Sequence, residues 1–256
     1  LKKGEMTRNP IPYHTIGDGF GVTEEELLDT PFDVSAMHTR AMAAGIALER
    51  DLRMVNAWYN ATSGTNAQDF DNIIQIPSGK WESEDDSALE ILLALTIWVN
   101  SPFQLDDTDL GLTLSTAFPG GELETLQRIG KYRITDIVMN GKKYFYLVRN
   151  KTLWNKNYFE GARILDNGAL NVPVLGVNIW RANVGSLDDR NNWVAEDDIY
   201  LLDRPNGGGG VIVEKQPLTV RSWPTPEFRR EATVIYERVG FVVQNRRAIF
   251  RITEGS

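Results

Sequence analysis

The chain has 256 residues, 42% of them hydrophobic, which suffices for one large domain or two modest ones with a buried core. It contains no cysteine, which excludes disulfide staples, thiolate metal sites and cysteine nucleophiles, and only two histidines, His14 and His38, for imidazole chemistry. The net charge of −8 is uneven: residues 221–256 hold seven Arg against four Glu, a balance of +3, leaving −11 on the rest, and such an acidic body argues against a nucleic-acid grip.

Residues 1–29 predict an extended arm, because Pro10, Pro12, Gly17, Gly19 and Gly21 oppose a helix. Its thin apolar content predicts that it needs a neighbour to lie on. A long helix is predicted over about 30–61, with Thr30 as N-cap, Pro31 at the first helical position and Asp33 favouring the helix dipole. Val34, Met37, Ala41, Ala44, Leu48, Leu52, Val55 and Tyr59 recur at steps of three and four, forming one apolar stripe. On that reading Leu48→Asp should block folding or assembly and Glu49→Ala should do little. A second helix is predicted after Ser83, through Ala88, Ile91, Leu92, Leu95, Trp98 and Val99, stopped by Asn100-Ser101-Pro102. Shorter ones follow at Glu122–Ile129 and Ile134–Met139, the latter ended by Asn140-Gly141.

Beyond this point the period changes from helix to strand. Tyr144–Val148, Val174–Arg181, Ile199–Leu202 and Val211–Val213 are strand-like, with irregular stretches at 151–171 and 182–197. Gly207–Gly210 is a flexible tip or tight turn. From Pro217 the chain carries long half-buried strands: Ala232–Val239 and Phe241–Val243, a polar break at Gln244-Asn245-Arg246, then Ala248–Thr253. The arginines there are read as strand-borne salt bridges. A long helix at the front and long strands at the back describe a part made to sit beside copies of itself.

Chemical motifs are few. Gly17-Asp18-Gly19-Phe20-Gly21 imitates a phosphate loop but lacks the flanking strand and helix, and is read as a turn. Asp106-Asp107-Thr108-Asp109-Leu110-Gly111 fails the spacing of a calcium loop. The carboxylate pairs Glu122/Glu124, Asp188/Asp189 and Asp197/Asp198 are read as solvated, and Trp58, Trp98 and Trp180 as packing. His38, one step off the stripe, is read as a surface or interface residue, and His14 has no acidic or nucleophilic neighbour in sequence. No serine stands in a Gly-x-Ser-x-Gly elbow. No catalytic, cofactor-binding or metal-ligating residue is nominated, and the chain is expected not to be an enzyme. No apolar run reaches the ~18–20 residues that span a bilayer, Ala88–Val99 being twelve.

Three passages carry a family resemblance. Glu25–Val34 looks like the lead-in to a spine helix. Lys80-Trp81-Glu82 followed by Asp85–Leu92 looks like the entry to a peripheral-domain helix. Arg238–Val243 with Ala248–Thr253 looks like a closing strand pair. Together they resemble the major capsid protein of tailed phages, the Hong Kong 97 fold. The resemblance implies an α+β chain with an extended loop at 1–29, a spine helix at 30–61, a peripheral domain from 62–110 and 211–256, and an axial domain at 111–210. It implies self-assembly through hexamers and pentamers into an icosahedral shell around double-stranded DNA, without sequence-specific binding. Its further partners would be scaffolding, portal and decoration proteins, and its place the virion, assembled in host cytoplasm with no membrane involved. The opening Leu1 is compatible with maturation cleavage or with a shortened chain. Lys2 and Lys3 lie near a region where some relatives crosslink, but no Asn partner is identifiable. The alternatives are an encapsulin-type nanocompartment shell, a tail component of related build, and, from a different class, an acidic carbohydrate-active enzyme or binding module.

Overall fold

The computed structural model describes residues 11–29, 32–62, 73–77, 81, 133–149, 163–164, 169–172, 176–182 and 198–255. The helices expected at 83–99 and 122–129, the acidic run 106–111, Trp98 and the carboxylates Glu122, Glu124, Asp188, Asp189 and Asp197 lie outside these. The elements in chain order are β1 (Tyr13–Thr23), α1 (Glu24–Asp29), α2 (Val34–Thr62), β2 (Ile73–Pro77), β3 (Asp136–Met139), α3 (Gly141–Arg149), β4 (Arg163–Ile164), β5 (Leu170–Val172), β6 (Val177–Arg181), β7 (Asp198–Leu202), β8 (Val211–Thr225), β9 (Arg230–Val242) and β10 (Ile249–Gly255). They form two compact units, Leu1–Met54 with Val211–Val242, and Val55–Gly210 with Val243–Ser256.

In the first unit β9 is the middle of a three-stranded antiparallel sheet in the order β1-β9-β8. The expected arm is here a full strand, paired from Tyr13↔Gly240 to Thr23↔Arg230. Its described part therefore pairs with a strand of its own chain. The glycine-rich run is no turn either. A Cβ on Gly17 would stand 2.8 Å from Tyr236 Cβ, and one on Gly19 would stand 3.1 Å from Val234 Cγ2. Glycine is present because β1 lies flush against large side chains of β9. The arm then closes on a helical turn the proline and glycine count did not anticipate: Thr23 and Glu26 cap α1 reciprocally, Glu26 N donating to Thr23 Oγ1 at 3.2 Å and Thr23 N to Glu26 Oε2 at 3.0 Å.

The long helix begins at Val34, and its cap is Asp33, whose Oδ1 accepts from Ala36 N at 2.9 Å. Thr30 and Pro31 lie outside the described residues. Met42 and Ile46 of α2 pack with Ile16, Ile235 and Val239, flanked by Phe20 and Phe241. The expected stripe is thus displaced: Met37 is 61% and Leu48 42% exposed, and of the stripe only Val55 is fully buried. The stripe counted several small alanines as apolar. Burial went instead to the edge where Met and Ile offer volume to the sheet.

The second unit holds a seven-stranded sheet in the order β2-β10-β7-β3-β6-β5-β4. The β10–β2 and β3–β6 pairs are parallel and the others antiparallel. All five residues of β7 are buried, as are Ile137, Ile179 and Ile252 around it. Two sequence expectations exchange places here. Asp136–Met139, expected as helix, is strand β3, and Tyr144–Val148, expected as strand, lies within α3. The reason is Asn140, read as a stop but acting as a start: its Oδ1 accepts from Lys142 N at 2.6 Å, and its carbonyl accepts from Tyr144 N at 3.0 Å. Lys143 and Leu147 are then buried four residues apart on α3.

Gly207–Gly210 lies in a tight turn after β7. Asp203 accepts from Asn206 N and Nδ2 at 3.2 and 2.6 Å, and Gly207 and Gly210 have φ of 84° and 76°. A Cβ on Gly208 would lie 1.8 Å from the Ala248 carbonyl oxygen.

Candidate functional site

Several ionisable residues of the described regions are tied into local structure. In the first unit Arg50 of α2 holds two carboxylates, Glu214 at 2.7 Å and Glu237 at 3.4 Å. Glu237 is buried, and burial is the main cause that raises its pKa; Arg50 opposes the rise and Glu214 adds to it. Burial also raises Asp51, on the same helix. His38 is exposed and stacks on Phe20 with ring centroids 5.0 Å apart. His14 is exposed on β1 and pairs with Val239.

In the second unit Asp198, the described member of one expected carboxylate pair, is buried and bonded to Arg251 at 3.3 Å, so it is not solvated. Arg251 in turn lies 4.5 Å from the centroid of the Tyr59 ring. Burial pushes the neighbouring Tyr200 phenol up, and Trp58 stands against its ring at 5.7 Å. Trp180 donates to the buried carboxylate of Asp136 at 2.6 Å, and Trp58 to the Gly209 carbonyl at 3.0 Å. Trp58 and Trp180 are thus packing residues with satisfied N–H groups, as their positions implied. Trp81 is fully buried and donates to the Lys143 carbonyl at 3.1 Å.

Among the described residues no group of three or more His, Asp or Glu could hold a metal ion, and no helix is long and apolar enough to cross a membrane. Exposed apolar side chains are the more telling feature. Leu28 is 84%, Phe32 70% and Met37 61% exposed, and Leu48 follows at 42%. Met37 and Leu48, about three turns apart, share one edge of α2, and Leu28 and Phe32 precede that helix in the same unit. Exposed apolar area of this kind is what a binding surface offers. The sequence reading placed Met37 and Leu48 on an apolar edge and expected Leu48→Asp to block folding or assembly. It passed over Leu28 and Phe32, whose signal was an apolar residue on each side of a proline at a helix entry.

No family model and no curated protein matches the chain. Solved structures do. A capsid structure of cyanophage P-SCSP1u is similar with a TM-score of 0.58 and 14% identity, over 100% of this chain and 79% of that one. A structure from Mycobacterium phage Che8 gives 0.59 and 15%, over 93% and 70%. The fold is that of phage capsid proteins, of Hong Kong 97 type. An encapsulin complex from Synechococcus elongatus PCC 7942 shares it, with a TM-score of 0.56 and 12% identity over 94% and 73%. The mixed α+β architecture of this capsid fold agrees with the sequence reading. At such identities the likeness speaks of fold, while the individual side chains are this chain's own.

Proposed function

We propose that the chain is the major capsid protein of a tailed-phage-like head, assembling with copies of itself into a closed icosahedral shell around double-stranded DNA. The observation that carries the proposal is the capsid fold over essentially the whole chain. On this reading α2 is the spine helix and residues 1–29 belong to the extended loop. Residues 62–110 with 211–256 make the peripheral domain, and residues 111–210 the axial domain. Shells multiply modest contacts: each copy repeats the same interfaces, so the assembly is stable although each contact is weak. The exposed Leu28, Phe32, Met37 and Leu48 supply apolar area for such contacts. The chain acts by association and not by catalysis. Scaffolding, portal and decoration proteins are its further partners, and its place is the virion, built in the host cytoplasm.

Particle size tests this directly. Sedimentation and negative-stain electron microscopy of the expressed chain should show closed shells tens of nanometres across. A persistent monomer or dimer over a range of salt and pH would overturn the shell reading. The encapsulin neighbour favours a second reading, a shell around protein cargo. Nuclease-protected DNA in purified particles supports the first, and co-purified protein without DNA the second.

A further inference from the structure

The two faces of the three-stranded sheet differ in charge. Along β9, Thr233, Ile235, Glu237 and Val239 are buried, and Ile235 and Val239 pack with Met42 and Ile46 of α2. Alternation puts Arg230, Ala232, Val234, Tyr236 and Arg238 on the opposite face. Arg221 of β8 pairs with Val234 and so shares that face, as do Gly17, Gly19 and Gly21 of β1, paired with Tyr236, Val234 and Ala232. By the same register the carboxylates of the three strands, Asp18, Glu214, Glu231 and Glu237, fall on the α2 side.

The cations of the far face stand in a row. Arg230 and Arg238 lie on β9 about 27 Å apart, at ~3.3–3.4 Å per residue, and Arg221 stands across from the midpoint. Arg221 lies 5.8 Å from the centroid of the Tyr236 ring, and at the bulged end of β8 Lys215 lies 5.5 Å from that of Tyr13. Arg221, Arg238 and Lys215 are exposed and make no ion pair among the described residues, so the strand-borne salt bridges expected of Arg221 and Arg238 are not formed there. Arg230 has Glu26 in electrostatic reach.

Net charge conceals this segregation. The chain sums to −8, which argues against a nucleic-acid grip, but charges more than about 10 Å apart are largely screened at ~0.1 M salt. A polyanion on the far face would meet the row of cations, with the sheet between it and the carboxylates behind. An acidic peptide draws its affinity from side chains seated in pockets, and a flat row flanked by three glycines offers it little. Single strands stack their bases on open rings, and here cations of the same chain already cover Tyr236 and Tyr13. A duplex keeps its bases stacked on one another and needs only cations for its phosphates, which come one per ~1.7 Å of axis. Guanidinium groups suit those phosphates because they donate in pairs. We propose that the sheet face of Arg221, Arg230, Arg238 and Lys215 binds the phosphate backbone of double-stranded DNA, independently of sequence. The choice of a duplex rests on the shell reading, in which such DNA is the enclosed polymer and this face belongs to the inner wall.

Fluorescence anisotropy of a labelled random-sequence duplex of about 30 base pairs tests it, on the unassembled full chain isolated by sedimentation, from ~50 to ~200 mM salt. The wild type should bind. Arg221→Gln with Arg238→Gln should weaken binding about tenfold at the low-salt end and reduce the slope of log K against log salt by about 2. Where the double variant unfolds by circular dichroism, each single one should reduce the slope by about 1. Arg221→Lys with Arg238→Lys keeps the charge and should stay within about threefold of the wild type. Arg163→Gln, which removes an exposed arginine on β4, should change nothing. An unchanged affinity and slope in the Gln variants, or an equal loss in Arg163→Gln, overturns the proposal. So does tighter binding of a single strand of the same length, which would point to base stacking, or of polyglutamate, which would assign the face to an acidic protein. Electron microscopy of the same preparations keeps the two readings apart. Shells in the wild type, with duplex binding indifferent to Arg221 and Arg238, overturn the proposal and leave the shell reading standing. Duplex binding that is lost in the Gln variants, from a wild type that never forms shells, overturns the shell reading and leaves the face.

Discussion

Strands β7 and β8 follow one another in sequence and have opposite fates. Every residue of β7 is buried, whereas most of β8 is exposed, with Leu218 at 47%, Val220 at 51% and Trp223 at 44%. The seven-stranded sheet of the second unit closes its own core around Ile137, Leu201 and Ile252. The three-stranded sheet of the first unit buries one face on α2 and leaves apolar and cationic side chains on its other surfaces. One region is covered by its own chain, and the other leaves apolar and cationic side chains open to water. On the proposed shell reading, a subunit that stays monomeric until it assembles needs both kinds of surface.

Substitutions can break this comparison at either end. The largest expected effect is Leu201→Ala in β7, which should cost about 2–5 kcal/mol in urea unfolding, because its neighbours cannot collapse onto the cavity. Next comes Gly208→Ala. Its Cβ would collide with the Ala248 carbonyl, and overpacking against backbone should cost about 1–3 kcal/mol in the same measurement. An unchanged midpoint there would disprove the tight turn.

The first unit offers subtler tests. Burial, reinforced by Glu214, raises the Glu237 pKa above the ordinary 4.5 despite Arg50. The protonated form is therefore the one the fold favours: the stability this group contributes is fully present below pH 4.5 and is lost as pH rises through the raised value. Glu237→Gln, which stays neutral, should flatten that loss. Parallel urea midpoints for variant and wild type between pH 4.5 and 8 would refute the assignment.

Leu48→Asp should change monomer stability by only about 1 kcal/mol, since the side chain is half out of the protein, yet should abolish shells in sedimentation. A misfolded variant would show that this edge belongs to the core after all. The smallest effect is expected for Glu49→Ala. It removes a half-buried i,i+4 pair with Arg53 at 2.8 Å and should stay within about 0.5 kcal/mol.

Residues with strong local rules were legible from sequence. The period-two pattern of Ala232–Val239 became β9, the polar break at 244–246 separates it from β10, and the long period of α2 became a helix of 29 residues. Wherever one residue type serves two roles, local rules misplaced it. Asn140 ends helices and starts them, and glycines bend chains but also let a strand lie flush against Tyr236. The candidate surfaces were half visible. Met37 and Leu48 stood on an apolar edge, and seven arginines crowded the tail. Which edge of α2 meets the sheet, and on which face the arginines emerge, depends on partners far away in the chain.

The sequence by itself determined the element types with one strong period, the absence of thiol chemistry and the acidic balance, because those properties belong to neighbouring residues or to simple sums. Tertiary structure alone decided that β1 pairs with β9 more than 200 residues away, that Glu237 is buried against Arg50, and that Arg221 covers Tyr236. Strand register sets all three, and one residue of slip would carry every side chain to the opposite face.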